Sequence, residues 1–260
     1  MRVLTNEQRV KRGRQVGTVM FFFSLFILTG GLIFTNFIAI SDEALLLVPC
    51  MIMPIGLVST IVSIRLTNTY VRQPRPEKVL RDGLQGINRR SVLLHYFPTA
   101  DHILITPHGV YALTVRFQMT RFRVEGERWT NYKSRGPLGP FFLFMKQEQL
   151  GEPFEDARKD QAALQAVLDE ALPESGIEVQ PVVVFIHPRA EVEIENPALP
   201  VAYASQKKKP SLKAVLREDK RSKQRDQFEA LNDDEIAILE DALVAKLPLK
   251  QQELVIEEED

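Results

Sequence analysis

The chain has 260 residues with 33 Lys and Arg against 34 Asp and Glu, a formal net charge of −1, and 45% hydrophobic residues. That balance excludes a global basic field that would draw the whole protein to nucleic acid. The single cysteine, Cys50, excludes a disulfide framework and a cysteine-rich zinc site. No glycine-rich phosphate loop, Cys/His framework or G-x-S-x-G is present, so a kinase, a redox enzyme and a protease have no motif support.

Residues 1–16 carry Arg2, Arg9, Lys11, Arg12 and Arg14 and read as a basic N-terminal segment. Gly17–Ile40 then runs 24 residues without a charge, and Ala44–Ile64 runs 21 more. Each exceeds the roughly 20 apolar residues needed to cross a hydrocarbon core. Only Ser41-Asp42-Glu43 separates them, which predicts a transmembrane helical hairpin embedded in the lipid bilayer. Basic flanks before the first span and after the second (Arg65, Arg72, Arg75), against an acidic turn, place both termini in the cytoplasm of a two-pass cell-membrane protein. A secretory signal peptide is the rival reading; its apolar core would be unusually long, and a second span follows at once. No Asp, Glu, Lys, Arg or His sits inside either span, so the pair reads as an anchor and not a transport path. Gly30, Gly31, Gly56 and Ser59 are the candidate close-packing positions.

Residues 65–76 form a polar linker with Pro74 and Pro76. A helix is predicted over Glu77–Asn88 from Val79, Leu80, Leu84 and Ile87, with Gly83 and Gly86 weakening it. Ser91–Phe97 is rich in strand formers. His102–Thr106 and Val110–Phe117, joined by Pro107-His108-Gly109, read as a hairpin, and Arg121–Glu125 continues the sheet. Phe141–Phe144 is an apolar tetrad in an irregular loop. Pro153–Leu172 is the clearest soluble helix, opened by a proline suited to the first turn. Val179–His187 holds VVVFI, a strand buried on both faces, and Ala198–Ala204 suggests a last short strand. Ser211–Leu216 and Asp233–Leu247 read as closing helices, ahead of an acidic tail over 248–260. The fold class is α/β: the hairpin, then one mixed-sheet domain over 77–247.

Charge is segregated late in the chain. Lys207–Arg225 holds nine Lys or Arg against Glu218 and Asp219, while 226–260 holds twelve acids against Lys246 and Lys250. Lys207, Lys208 and Lys209 are candidate contacts for nucleic acid or anionic lipid. The plainer reading is a solvated helix with charged arms, partly neutralised by the acidic tail.

Certain residues carry a resemblance. The segment Ala100-Asp101-His102-Ile103-Leu104-Ile105-Thr106-Pro107-His108-Gly109-Val110-Tyr111 continues as Ala112-Leu113-Thr114-Val115-Arg116. Pro76-Glu77 lies before it, Trp129 after it, then Glu152-Pro153-Phe154-Glu155-Asp156 and Val182-Val183-Val184-Phe185. Over residues 76–190 this resembles the nuclease-related domain family, NERD, and with it the restriction-endonuclease-like fold and its PD-(D/E)-x-K site. The resemblance implies a divalent cation, usually Mg²⁺, held by carboxylates on adjacent strands, with a lysine nearby. Asp101 matches the first carboxylate and Glu77 the helix acid. Thr114 stands where the second carboxylate belongs, Arg116 replaces the lysine, and Asp156 replaces the helix glutamine. A hydroxyl is a weak ligand for a hard cation, and arginine clamps phosphate but cannot act as a base.

Three expectations follow. The first is a membrane-anchored pseudoenzyme of the family, without a cofactor, binding or assembling at the cytoplasmic face through a pocket around Glu77, Asp101 and Arg116. The second is an active Mg²⁺-dependent nuclease using Glu77, Asp101 and Asp156. The third is a membrane-proximal scaffold. Each site residue also has a plain structural role: Asp101 capping a turn, Glu77 favouring a helix N-terminus, Arg116 as a strand-edge charge, Trp129 as a core anchor. His95, His102, His108 and His187 have no ligand spacing.

Overall fold

The computed structural model describes residues 1–37, 47–71, 73–131, 150–173, 175–225, 230–248 and 255–259. The chain divides into two units, Gln8–Arg75 and a second made of Met1–Glu7 with Pro76–Asp260. The tetrad Phe141–Phe144 and the turn Ser41-Asp42-Glu43 lie outside the described residues.

The hairpin unit is built from α1 (Glu7–Phe37) and α2 (Leu47–Tyr70). Both are long and apolar enough to cross a membrane, and their bulky side chains face outward, Phe26 being 78% exposed. Both overrun the uncharged stretches. Loss of charge bounds the apolar length, whereas backbone hydrogen bonding continues through polar residues, so α2 takes in Thr67–Tyr70 of the expected linker. The helices meet through small residues. Ser63 donates to the Gly17 carbonyl at 3.0 Å and Ser59 to that of Met20 at 3.2 Å. A Cβ on Gly56 would come within 3.0 Å of Ile27 and Leu28. At Gly30 and Gly31 a Cβ would meet nothing within 4 Å, so the packing role expected of them falls to Gly56 and Ser59.

The second unit is a three-layer α/β structure. Its strands are β1 (Arg2–Asn6), β2 (Val92–His95), β3 (His102–Thr106), β4 (Gly109–Arg116), β5 (Arg121–Gly126), β6 (Arg128–Asn131), β7 (Gln180–Phe185), β8 (Glu191–Pro197), β9 (Val201–Tyr203) and β10 (Val255–Glu259). Its helices are α3 (Pro76–Leu84), α4 (Pro153–Ala171), α5 (Leu212–Arg225) and α6 (Asp233–Ala245). The main sheet has the order β10-β1-β2-β3-β4-β7-β9. β2, β3 and β4 run antiparallel; β4, β7 and β9 run parallel, with α4 lying in the connection between β4 and β7.

Alternation along the strands sorts the core. Leu94, Ile103, Ile105, Val110 and Ala112 meet α4 and α6 through Leu164, Leu168, Ile236, Leu239 and Leu243. Leu93, Leu104, Tyr111, Leu113, Val182 and Val184 face the other way, onto Leu80 and Leu84 of α3 and Leu212 and Leu216 of α5. Each such side chain contributes about 1.5–3 kcal/mol on burial. α6 is fixed at its start by a capping box between Asn232 and Glu235. Gly83 explains itself: a Cβ there would sit 2.1 Å from the Ala204 carbonyl, so only glycine lets α3 approach the end of β9 so closely.

Three expectations need correction. Residues 1–16 are not merely a basic segment, because β1 pairs in parallel with β2 and antiparallel with β10. Val3 and Leu4 enter opposite faces of the core, 2% and 7% exposed. β10 comes from the expected acidic tail. Arg121–Glu125 does not continue the main sheet: β5 joins β6 and β8 in a separate three-stranded sheet. Phe122 and Val124 bury against Phe154 and Phe185, while Arg123 reaches Glu195 at 2.7 Å on the solvent side. Trp129 packs on Phe154 at a ring distance of 5.1 Å, the core anchor expected of it.

Candidate functional site

The β3–β4 hairpin carries the key positions at its open end. Its register pairs Ile103 with Ala112, and continuing two residues outward sets Asp101 across from Thr114. Both share the parity of Ile103 and Ala112, so they face α4. Helix α4 answers with two acids one turn apart. Thr114 Oγ1 donates to Asp160 Oδ2 at 2.7 Å, and Arg116 Nη2 donates to Asp156 Oδ2 at 2.5 Å. The stretch Thr114-Val115-Arg116 is thus fastened to α4 through an i, i+4 pair of carboxylates. Thr114 is buried and the Arg116 side chain is 13% exposed, whereas that of Asp156 is 47% exposed.

The electrostatics follow from that geometry. Burial pushes the Asp160 carboxyl up to about 6; the Thr114 hydrogen bond opposes this, and the charges of Asp101 and Asp156 add to it against Arg116. Burial also lowers the Arg116 guanidinium from its ordinary value, with Asp156 and then Asp160 opposing. Asp156 and Asp160 therefore share one buried cation.

Of the candidate residues, Asp101, Thr114, Arg116 and Asp156 lie together at this end of the hairpin. Glu77 stands at the start of α3, where its carboxylate accepts a 2.9 Å hydrogen bond from the Tyr96 hydroxyl. Tyr96 in turn has its backbone N–H on the Asp101 carbonyl. Its φ of 63° bends the chain between β2 and β3. Lys207, Lys208 and Lys209 lie in the turn after β9. Lys208 Nζ sits 5.1 Å over the Tyr203 ring and also donates to the Ala190 carbonyl.

The residue missed by sequence reasoning is Asp160. Its signal was available: it falls in the apolar stripe of α4, four residues after Asp156 and four before Leu164. A carboxylate on the packed face of a helix requires a partner, and Thr114 is that partner.

The cation that the resemblance implies, Mg²⁺, takes hard oxygen donors. Among the described residues, no group of three His, Cys, Asp or Glu is disposed to hold a metal ion. Asp101 and Asp160 are two hard oxygen donors, Thr114 Oγ1 is spent on Asp160, and Asp156 is engaged by Arg116. Mg²⁺ commonly takes one or two carboxylates and completes its shell with water and phosphate oxygens, so Asp101 and Asp160 are the residues that would hold it here. What the arrangement can do is present a buried guanidinium and exposed carboxylates at the end of the sheet.

No curated protein and no solved structure gives a significant match to the chain. Residues 68–186 match the family model of the nuclease-related domain, a span that runs from the end of α2 to just past β7 and includes the whole cluster. Over residues 68–186, just under half of its length, the chain is similar to the nuclease-related domain family, NERD.

Proposed function

We propose that the protein is a membrane-anchored nuclease-related domain whose hydrolytic centre has been converted into a binding centre at the cytoplasmic membrane face. The observation that carries this reading is the double fastening of Thr114 to Asp160 and of Arg116 to Asp156. The position of the second metal-binding acid is a hydrogen-bond donor, and the position of the lysine is a guanidinium already committed to a carboxylate. A guanidinium beside acids suits docking of a polar ligand or partner better than activation of water. The two apolar helices support the bilayer anchor, and the basic residues around them support cytoplasmic termini. Full-length protein in nanodiscs, incubated with single- and double-stranded DNA and RNA in Mg²⁺ or Mn²⁺, is expected to leave every substrate intact. Metal-dependent cleavage that Asp101→Asn abolishes would overturn the proposal.

One observation favours a second reading. Asp160 reaches the place of the missing strand carboxylate from α4 and stands beside Asp101, with its carboxyl held up near 6. A nuclease of this kind would use Asp101 and Asp160, with Asp156 tied to Arg116, in place of the Glu77, Asp101 and Asp156 set. Cleavage lost in Asp160→Asn but retained in Asp156→Asn selects it.

A further inference from the structure

The β3–β4 hairpin has opposite chemistry at its two ends. The acids lie at its open end; at its turn, about 17 Å along β4 from Thr114, there is a cavity of about 170 Å³ with a cationic wall. Lys213, Arg217 and Lys220 of α5 line it at i, i+4 and i+7, one face of the helix. His108 of the turn lines it as well, and among the described residues no Asp or Glu does. Burial, then Lys220, Lys223 and Arg90, lower the His108 imidazole from its ordinary value, which records how many cations converge here. The nearby acid, Asp219, is already engaged: it accepts from the Tyr111 hydroxyl at 2.6 Å and pairs with Lys223 at 2.9 Å.

A second observation concerns a hydroxyl. Ser91, in the turn leading into β2, is fully buried and lines the same cavity, and its Oγ has no hydrogen-bond partner among the described residues. A buried hydroxyl without a partner has lost its water and gained nothing in exchange, a cost that a bound acceptor would remove. Lys213 Nζ donates to the Gln85 carbonyl, which holds the ammonium at the cavity and leaves it further donors.

We propose that this cavity is a binding site for a phosphoryl group, with Lys213, Arg217 and Lys220 supplying charge and Ser91 donating a hydrogen bond to one of its oxygens. The site is separate from the acid cluster and does not depend on whether that cluster cleaves anything. The phosphoryl group belongs either to a small soluble anion or to a lipid headgroup, and the chemistry of recognition is the same for both.

The test uses the full chain in phosphatidylcholine nanodiscs at about 150 mM salt, where diffuse surface attraction is screened. Inorganic pyrophosphate is titrated while Tm is followed, and a parallel preparation carries phosphatidic acid in the nanodisc. Saturable stabilisation by pyrophosphate, or by phosphatidic acid, is the expected result, and which of the two acts identifies the source. Lys213→Gln/Lys220→Gln should weaken the response about tenfold or more, and Ser91→Ala severalfold. Arg221→Gln/Arg225→Gln, which removes equal charge from α5 outside the cavity, should change it less than about twofold. The site is refuted if neither phosphate source stabilises the protein. It is equally refuted if the cavity variants respond like the wild type, or if the control pair weakens binding as much as they do.

Discussion

Neutralising Asp160 should stabilise the protein at alkaline pH and leave it unchanged at acid pH. The carboxyl titrates near 3.8 when unperturbed and near 6 in the fold. Between those values the native state binds the proton and the unfolded state does not, so stability falls as pH rises through this window and the cost is complete above it. A difference of about two units corresponds to about 3 kcal/mol, reduced to about 2 kcal/mol because the group is only partly shielded from solvent. Asp160→Asn keeps an oxygen to accept from Thr114 while removing the charge. Its Tm, measured in nanodiscs with a chelator present, should exceed that of the wild type by about 4–8 °C at pH 8 and converge with it near pH 4. Other titrating groups, the buried His95 included, are common to both proteins and cancel in the comparison. A variant that is destabilised at pH 8, or shifted equally at both pH values, would refute the account of a carboxylate held at a cost.

Other perturbations separate the remaining elements. Arg116→Met removes the cation that Asp156 and Asp160 share and should lower stability by about 2–4 kcal/mol, read as a fall in Tm; an unchanged Tm would show the pairing to be ornamental. Gly83→Ala drives a methyl group into the Ala204 carbonyl and should cost about 1–3 kcal/mol or displace α3, which thermal melts will reveal. Leu4→Ala in β1 should cost about 2–5 kcal/mol despite its place among basic residues; a cost below about 0.5 kcal/mol would mean that β1 does not contribute to the core. His95 is buried with its imidazole well below the usual range, by burial first and then by His102 and Arg81. Because its folded value is depressed, stability should be present above about pH 6.5 and lost as pH falls below it, a loss that His95→Gln should diminish.

The parts of the fold that were legible in the sequence are those with strong local periodicity. The β3–β4 hairpin, α4 and the doubly buried β7 each announce themselves through alternation, an apolar stripe or an unbroken apolar run, and each sits within a few residues of its expected bounds. β1 carries only Val3 and Leu4 as apolar strand residues and borrows its partners from positions near 92 and 257, so nothing local marks it. β5 reads as a half-buried strand, but the choice of sheet depends on β8, some seventy residues later. Within the site, residues on one strand or at one helix start could be named from spacing. Asp160 owes its role to tertiary packing, which brings the second turn of α4 onto Thr114.

The location of β1 has a consequence for biogenesis. This strand is synthesised ahead of both apolar helices, yet the edge it must zip onto, Val92–His95, leaves the ribosome only after them. The main sheet therefore cannot close at β1 until both apolar helices have been translated, so Val3 and Leu4 wait without their β2 partners for some eighty residues of synthesis.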